Sequence, residues 1–217
     1  MAIQIEYIIG SILLLCLISC ASTDEKTESQ EQEADINALV NNSLVYAQNG
    51  QLAIAKNTIN KALEIDADNV DANNIAGLIY GNAGEDSIAV SFFEKALVLA
   101  PSDASTLNNY GNFLCNRGEK KLAEQKFLQA ATNPKNPNPE IAYTNAGLCM
   151  LRVPDIPSAE EYFKTALDFQ PNNSIALYQL AQIDFTQGNA RLARDKLKQY
   201  ANIARHTPKS LKLGVEI

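Results

Sequence analysis

A cysteine near the start of the chain lies in a sequence context that favours acylation of its thiol. The run Leu17-Ile18-Ser19-Cys20 closes an apolar stretch over residues 8–18. A branched apolar residue, two small or tolerated residues and then Cys form a lipobox. We therefore expect residues 1–19 to be a lipoprotein signal peptide. Cys20 would then carry diacylglycerol on its thiol and an acyl chain on its amine, and we expect no other cofactor.

Two other interpretations of this N-terminal stretch are an ordinary secretory signal and a membrane helix. About a dozen apolar residues are too few to span a bilayer comfortably. The first seven residues carry Glu6 and no Lys or Arg, which departs from the positively charged start of signal peptides, the lipoprotein kind included. Ala21, rather than Asp, follows the cysteine, and this favours sorting to the outer membrane. We expect a lipid anchor on the periplasmic face of that membrane.

The next segment and the overall charge limit the classes of partner. Residues 21–35 carry six acids against Lys26 and no large apolar side chain, so residues 20–35 are predicted to form a lipidated, disordered acidic tether. The whole chain has 25 acidic and 18 basic residues, a formal net charge of −7. Because phosphate binding rests on Lys and Arg, this balance argues against nucleic acid.

The remaining reactive residue types form no catalytic or metal-binding pattern. His206 is the only histidine, and no Ser or Cys nucleophile with an orienting acid accompanies it. Two thiols and one imidazole cannot make a zinc site. We expect a protein that is not an enzyme and holds no metal.

The elements that carry these residues are predicted by a repeat of 34 residues that starts at residue 36. An alanine recurs at Ala55, Ala89, Ala123, Ala159 and Ala193. A large apolar residue follows each of them, at Ile59, Phe93, Phe127, Phe163 and Leu197. A small residue precedes each, at Ser43, Gly77, Gly111, Gly147 and Ala181. This is the tetratricopeptide pattern, in which each unit is two antiparallel helices, A and B.

The predicted fold is all-α, a right-handed superhelical solenoid of about five to six tetratricopeptide helix pairs within residues 36–217. The predicted units are 36–69, 70–103, 104–139, 140–173 and 174–207, with a partial sixth over 208–217. The third unit is two residues longer, and we expect its prolines to make 134–140 a stiff loop. Asp184 stands where other units have a large apolar residue, so looser packing or a shifted register is expected there.

The A helices are predicted to line the concave face of the solenoid and to form a partner groove. Its predicted residues are Asn74, Asn82, Asn108, Asn112, Asn116, Thr144, Leu148 and Arg152. Asn side chains both donate and accept hydrogen bonds, so a row of them suits the backbone of an extended peptide. The alternative is that these Asn residues are ordinary solvated surface.

Cys115 and Cys149 fall in the A helices of successive units. Axes of packed helices are typically about 8–10 Å apart, and a disulfide needs Cα atoms within about 7 Å, so the two thiols reach each other if both point into the shared seam. An exported chain is in an oxidising compartment, which favours a disulfide. Two buried free thiols are the other possibility.

Three segments resemble the PilF/PilW family of outer-membrane lipoproteins. They are Asn108-Asn109-Tyr110-Gly111-Asn112-Phe113-Leu114-Cys115 followed by Arg117-Gly118, then Asn145-Ala146-Gly147-Leu148-Cys149, and His206-Thr207-Pro208-Lys209-Ser210-Leu211. Members of this family are tetratricopeptide pilotins of type IV pilus biogenesis. In the family, the cysteines at the positions of Cys115 and Cys149 can be bridged.

The resemblance implies a partner and a role. The chain would bind the pilus secretin subunit, and other pilus assembly proteins are further candidate partners. It would bring the secretin to the outer membrane and support its multimerisation into the channel. The alternative is a tetratricopeptide lipoprotein adaptor of another envelope complex, for example one that scaffolds cell-wall hydrolases.

Overall fold

The computed structural model describes residues 30–204 and 208–216, and within these ranges the chain forms eleven α-helices and no strand. The helices are α1 (30–48), α2 (Leu52–Ile65), α3 (Val70–Asn82), α4 (Asp86–Leu99), α5 (Ala104–Asn116), α6 (Lys120–Ala131), α7 (Pro139–Arg152), α8 (Ile156–Phe169), α9 (Ser174–Thr186), α10 (Ala190–Ile203) and α11 (Pro208–Glu216). The signal peptide, Cys20, the first part of the tether and His206 lie outside the described residues.

The helices pack in chain order as A and B pairs. Helix α3 packs on α4, α5 on α6, α7 on α8, and α9 on α10. Each pair also contacts the next one, since α3 touches α5 and α5 touches α7. This arrangement confirms the predicted all-α tetratricopeptide solenoid.

A close contact between a small residue and a phenylalanine fixes the spacing of three helix pairs. A Cβ added at Gly111 would lie 2.7 Å from Cε1 of Phe127, and one at Gly147 would lie 2.7 Å from Cε1 of Phe163. Gly77 meets Phe93 at 2.8 Å in the same way. All three Phe rings are fully buried, so the helices approach this closely only because the glycines have no side chain.

These phenylalanines form one continuous core along the middle repeats. Phe93, Phe127 and Phe163 belong to a single buried cluster with the alanines of the B helices and the apolar residues of the A helices. Phe93 also stacks on Tyr110 of the next repeat, with ring centroids 5.0 Å apart. Each repeat therefore buries its apolar surface against its neighbour, as a solenoid requires.

The first helix begins earlier than the sequence predicts. Helix α1 already includes 30–35, which we predicted to be the end of the disordered tether. All six of these residues are exposed, whereas Ile36, Val40 and Ser43, in the first repeat, are buried. Gln and Glu are good helix formers, so a helix nucleated by the packed residues extends into the exposed segment.

The long connection in the third repeat is a loop that side chains hold in place. It runs from Thr132 to Asn138, and helix α7 begins at Pro139, so the last two residues of the predicted stiff loop are helical. A proline at the first helical position costs no hydrogen bond, which explains the difference. The Asn133 Nδ2 donates to Ser102 O at 2.6 Å and the Asn136 Nδ2 donates to Ala130 O at 2.9 Å.

Asp184 keeps the register of the repeat but packs differently from its equivalents. It is only 7% exposed, and its Oδ2 accepts a hydrogen bond from Lys196 Nζ at 2.6 Å. An ion pair between α9 and α10 thus replaces the apolar contact of the other units. The register is therefore not shifted at this position.

Helix α11 provides a sixth A helix against the fifth repeat. Leu213 is 7% exposed and packs with Ala181 and Leu197. Among the described residues, no helix is both long enough and apolar enough to cross a membrane.

Candidate partner-binding groove

Helices α3, α5 and α7 lie side by side and carry all the predicted groove residues, but these residues differ in accessibility. Asn82, Asn116 and Arg152 are exposed, and Asn108, Asn112 and Leu148 are half-buried. These six side chains remain available to a partner. Arg152 donates a hydrogen bond from its Nη1 to Asn116 Oδ1, so α7 and α5 are joined at this edge of the groove.

Asn74 is not a groove residue, and this prediction was wrong. Its side chain is 1% exposed and lies between α3 and α5. Its Nδ2 donates to Ser105 Oγ at 3.1 Å, and its Oδ1 accepts from Asn109 Nδ2 at 3.0 Å. The repeat pattern gives Asn74 the same position in its repeat as Asn108. The neighbouring helix α5 nevertheless covers the Asn74 side chain.

Thr144 is also buried, contrary to its predicted place in the groove. It is 4% exposed, and its Oγ1 donates to Glu140 O at 2.7 Å. The same oxygen accepts from the Nδ2 of Asn173, the residue that caps α9, at 2.9 Å. Thr144 therefore joins α7 to the cap of α9 and is not open to a partner.

The two cysteines form a disulfide in the seam between α5 and α7. The Cys115 and Cys149 Sγ atoms are 2.07 Å apart, and the Cα atoms are 5.9 Å apart. Both residues are buried, at 7% and 2% exposure. The bridge links two A helices beneath the accessible groove residues.

A cavity opens beside these residues, between the first two turns of α5 and α7. It has a volume of about 580 Å³. Asn108 of the predicted row lies in it, together with amides that the sequence analysis missed: Asn109, Asn133, Asn136, Asn138 and Asn145. The motif Asn145-Ala146-Gly147-Leu148-Cys149 and the Asn-Pro pattern of the loop contained this signal, but only the fold brings them together.

Two ion pairs near the groove join neighbouring repeats. Arg117 binds Asp86 at 2.5 Å and Gly81 O at 2.8 Å, and Lys120 binds Asp155 at 2.7 Å. The hydrogen bond from the Arg117 guanidinium holds the pKa of Asp86 below its ordinary value, and that from Lys120 does the same for Asp155. In the described part of the chain no cluster of His, Cys, Asp and Glu could hold a metal ion. The groove and the cavity thus present amides and apolar groups together with the basic side chains of Arg152 and Lys135.

Comparison with known proteins gives the same fold. Two profiles described as tetratricopeptide repeat match residues 36–69 and 92–125. No curated protein sequence matches the chain significantly. Among solved structures, PilF of Pseudomonas aeruginosa is similar, with a TM-score of 0.73 and 28% identity over 85% of this chain and 83% of that one.

Two further solved structures are similar. PilW, described as a widely conserved type IV pilus biogenesis factor, has a TM-score of 0.69 and 28% identity over 83% of each chain. YrrB, a tetratricopeptide protein with an unusual peptide-binding site, has a TM-score of 0.53 and 21% identity over 86% of this chain and 93% of that chain. At that identity, the likeness to YrrB concerns the fold alone.

Proposed function

We infer the function from the premise that this chain is a tetratricopeptide-repeat protein that resembles the PilF/PilW family. The likeness to PilF and PilW extends over more than four-fifths of the chain and indicates a role in type IV pilus biogenesis. Tetratricopeptide repeats bind other proteins, so the partner is a protein. This likeness is the observation that carries the proposal.

We propose that the chain is an outer-membrane lipoprotein that binds the pilus secretin. It would bring the secretin to the outer membrane and promote its multimerisation. Further pilus assembly proteins are candidate partners. The role is that of a binding protein and not of an enzyme.

The accessible face of the A helices supports the proposed binding. Asn112 and Leu148 are half-buried on adjacent helices, one able to pair with a peptide backbone and the other with an apolar side chain. The core clusters and the disulfide hold these helices in place before a partner binds. A groove that is already formed loses little conformational entropy on binding.

The proposed anchor is Cys20, with three acyl chains after processing. A single chain gives only marginal membrane binding, whereas two or more give stable anchoring. The acidic surface offers no polybasic alternative. The lipid would keep the repeats close to the membrane in which the secretin assembles.

Co-purification tests the proposed partner. The full-length lipoprotein, solubilised in detergent, should carry the secretin from the same cells. Replacing Asn112→Ala together with Leu148→Ser should reduce the recovered secretin. The matched control, Val98→Ser with Leu122→Ser, changes exposed apolar residues of the B helices α4 and α6 and should leave recovery unchanged.

The outcomes separate the candidate functions. Recovery of secretin that depends on Asn112 and Leu148 supports the proposal and the groove. Loss only in the B-helix control would place the partner on the other face. Recovery of cell-wall hydrolases without any secretin would contradict the proposal and favour an adaptor of another envelope complex.

A further inference from the structure

A second cavity lies between the B helices α4 and α6, and we call it the B-helix groove. It has a volume of about 530 Å³ and is lined by Glu94, Val98, Tyr110, Leu114, Leu122 and Lys126. Tyr110 and Leu114 come from α5 and are buried. Val98 and Leu122 come from α4 and α6 and are 79% and 48% exposed. Apolar residues exposed beside an open cavity are typical of a surface that binds another protein.

The groove is open because the third repeat has a lysine where both neighbouring repeats have an aromatic residue. This position lies three residues after the repeated alanine and holds Phe92, Lys126 and Tyr162 in successive repeats. Phe92 packs with the cluster of the first repeat, and its ring centroid lies 5.3 Å from that of Tyr80. The Tyr162 hydroxyl donates to Glu124 of α6 at 2.5 Å. Each ring thus fills the space toward the preceding repeat, and the third repeat has no ring at this position.

Lys126 also gives the groove a positive charge that lacks a carboxylate partner. Its Nζ lies over the Tyr110 ring, 5.5 Å from the ring centroid. It forms no salt bridge with any residue that the structure describes, and the other charged residue of the groove is Glu94. A ligand that offers an aromatic ring to the apolar floor and a carboxylate to Lys126 would complement both features.

The chain itself carries such a pair of side chains at the end of α8. Phe169 is 56% exposed and is the only exposed aromatic residue of the described ranges. Its ring stacks on that of Tyr143, with centroids 5.7 Å apart, so its orientation is fixed. The preceding Asp168 is exposed and forms no salt bridge with a described residue. Asp168 has the same position in its repeat as Val98, so both lie on the same side of the B helices.

We propose that the B-helix groove binds Asp168 and Phe169 of a second copy of this chain. The Phe169 ring lies against Tyr110 and Leu114, where it does what Phe92 and Tyr162 do within their own repeats. The Asp168 carboxylate pairs with Lys126. Each copy offers one groove and one Asp168-Phe169 pair on the same side, so a two-fold axis makes the contact twice, as a closed dimer requires.

This dimer is separate from the proposed binding of the secretin. It uses the B helices, so Asn112 and Leu148 of the A helices stay open to another partner. The net charge of −7 on each copy opposes association, so we expect a weak dimer in dilute solution. The proposed lipid anchor would raise the effective concentration of the copies at the membrane and favour the dimer there.

Cysteine trapping in cells tests the contact. Two full-length copies with different tags are expressed together, one with Lys126→Cys and one with Asp168→Cys, and the cells are mildly oxidised. We expect a disulfide-linked mixed dimer that reductant dissociates. Cys115 and Cys149 do not compete because they are already bridged and buried. The matched control is Asn202→Cys in place of Asp168→Cys, since Asn202 is exposed at the same position of the fifth repeat, and it should give no mixed dimer.

Substitution of the aromatic residue tests how the two copies recognise each other. Adding Phe169→Ser to the Asp168→Cys copy should lower the yield of mixed dimer about tenfold, the effect of one large apolar side chain. Its matched control is Ile203→Ser, because Ile203 is the equivalent residue of the fifth repeat and is 39% exposed, and the yield should not change.

Charge reversal tests the ion pair without any cysteine substitution. Sedimentation of the full-length chain in density-matched detergent should show that Lys126→Glu and Asp168→Lys each weaken the dimer about two- to fivefold. The two changes in one chain should restore it, because the reversed charges pair again across the two copies. These exposed residues leave the core intact, so the melting temperature should stay at the wild-type value.

Several results would overturn the assignment. Equal yields from the trapping pair and the Asn202→Cys control would do so, as would a wild type that sediments only as a monomer or a charge reversal that does not restore the dimer. A mixed dimer that forms only in cells containing the secretin would show that the secretin, and not the groove, joins the copies. If the mixed dimer forms but the secretin never co-purifies, the proposed function is wrong and the dimer stands.

Discussion

At the scale of single residues, the contact between a glycine and a phenylalanine sets the geometry of the middle repeats. Gly77, Gly111 and Gly147 each lie against the ring of the Phe in the same repeat. In the first and fifth repeats the corresponding small residues are Ser43 and Ala181, and the large ones are the aliphatic Ile59 and Leu197. Glycine therefore faces the large phenylalanine ring, whereas Ser or Ala faces the smaller Ile or Leu side chain.

Gly111→Ala should lower the free energy of unfolding by about 1–3 kcal/mol, the usual cost of overpacking. The added methyl group would lie 2.7 Å from the ring of Phe127, which is fully buried and cannot move aside. Combining it with Phe127→Leu should cost less than the sum of the two single changes, because the smaller side chain leaves room. Urea unfolding measures both effects.

Gly214→Ala is the control for this prediction, since its nearest atom would be 4.0 Å away. It should leave stability unchanged or raise it slightly, because Ala is the better helix former. Strict additivity of Gly111→Ala and Phe127→Leu would show that the glycine is not there to accommodate the ring.

The ion pair between Asp184 and Lys196 gives a second test at this scale. Asp184→Ala should destabilise the protein by about 1–3 kcal/mol, because it leaves the Lys196 ammonium, 22% exposed, without its partner. Asp184→Leu together with Lys196→Met should restore stability close to the wild type, because apolar residues of similar size replace the pair. Thermal unfolding measures the series, and an equal loss in the single and double variants would contradict this account.

Asn74 and Asn108 show what the sequence could not predict about the site. Both occupy the same position in the repeat, and the pattern placed both in the groove. Their different environments depend on which residues the following A helix offers, Ser105 and Asn109 in one case and Ile141 and Asn145 in the other. A period along the chain does not contain this information, since it arises from packing between repeats.

At the scale of helices, the sequence predicted the order and pairing of the elements well. Side chains that cap helices stand at the expected junctions, with Asn69, Asp103 and Asn173 before α3, α5 and α9. The errors fall at helix starts, at residue 30 of α1 and at Pro139 of α7. Ends of helices are decided by exposed residues with weak preferences, so a repeat pattern of buried residues fixes them poorly.

The disulfide between α5 and α7 should stabilise the middle of the solenoid. It closes a loop of 34 residues, for which chain entropy gives about 3–4 kcal/mol. Replacing both Cys115→Ala and Cys149→Ala should lower the free energy of unfolding by up to this amount, as measured in urea.

Reduction of the wild type provides the control, since it should produce a similar loss without any substitution. The double variant itself should not respond to reductant. Equal stability of the oxidised wild type, the reduced wild type and the variant would show that this bridge does not constrain the unfolded chain.

At the scale of the whole molecule, we propose a lipid anchor at Cys20 that precedes a solenoid whose A helices present accessible residues to a partner. The prediction for the anchor is that Cys20→Ser prevents lipidation and removes the protein from the outer-membrane fraction. Folding should be unaffected, because Cys20 precedes the repeats by an acidic segment. Fractionation with a circular dichroism spectrum measures both, and an unlipidated variant that stays in the outer membrane would contradict the anchor.

The central claim is that the chain promotes multimerisation of the pilus secretin at the outer membrane. The most direct measurement is the amount of secretin multimer in outer membranes of cells that lack the gene, complemented with the wild type, with Cys20→Ser or with an empty vector. We predict abundant multimers with the wild type, and with Cys20→Ser fewer multimers at the outer membrane although total secretin is unchanged. Wild-type levels of correctly located multimer in cells with the empty vector would contradict the account.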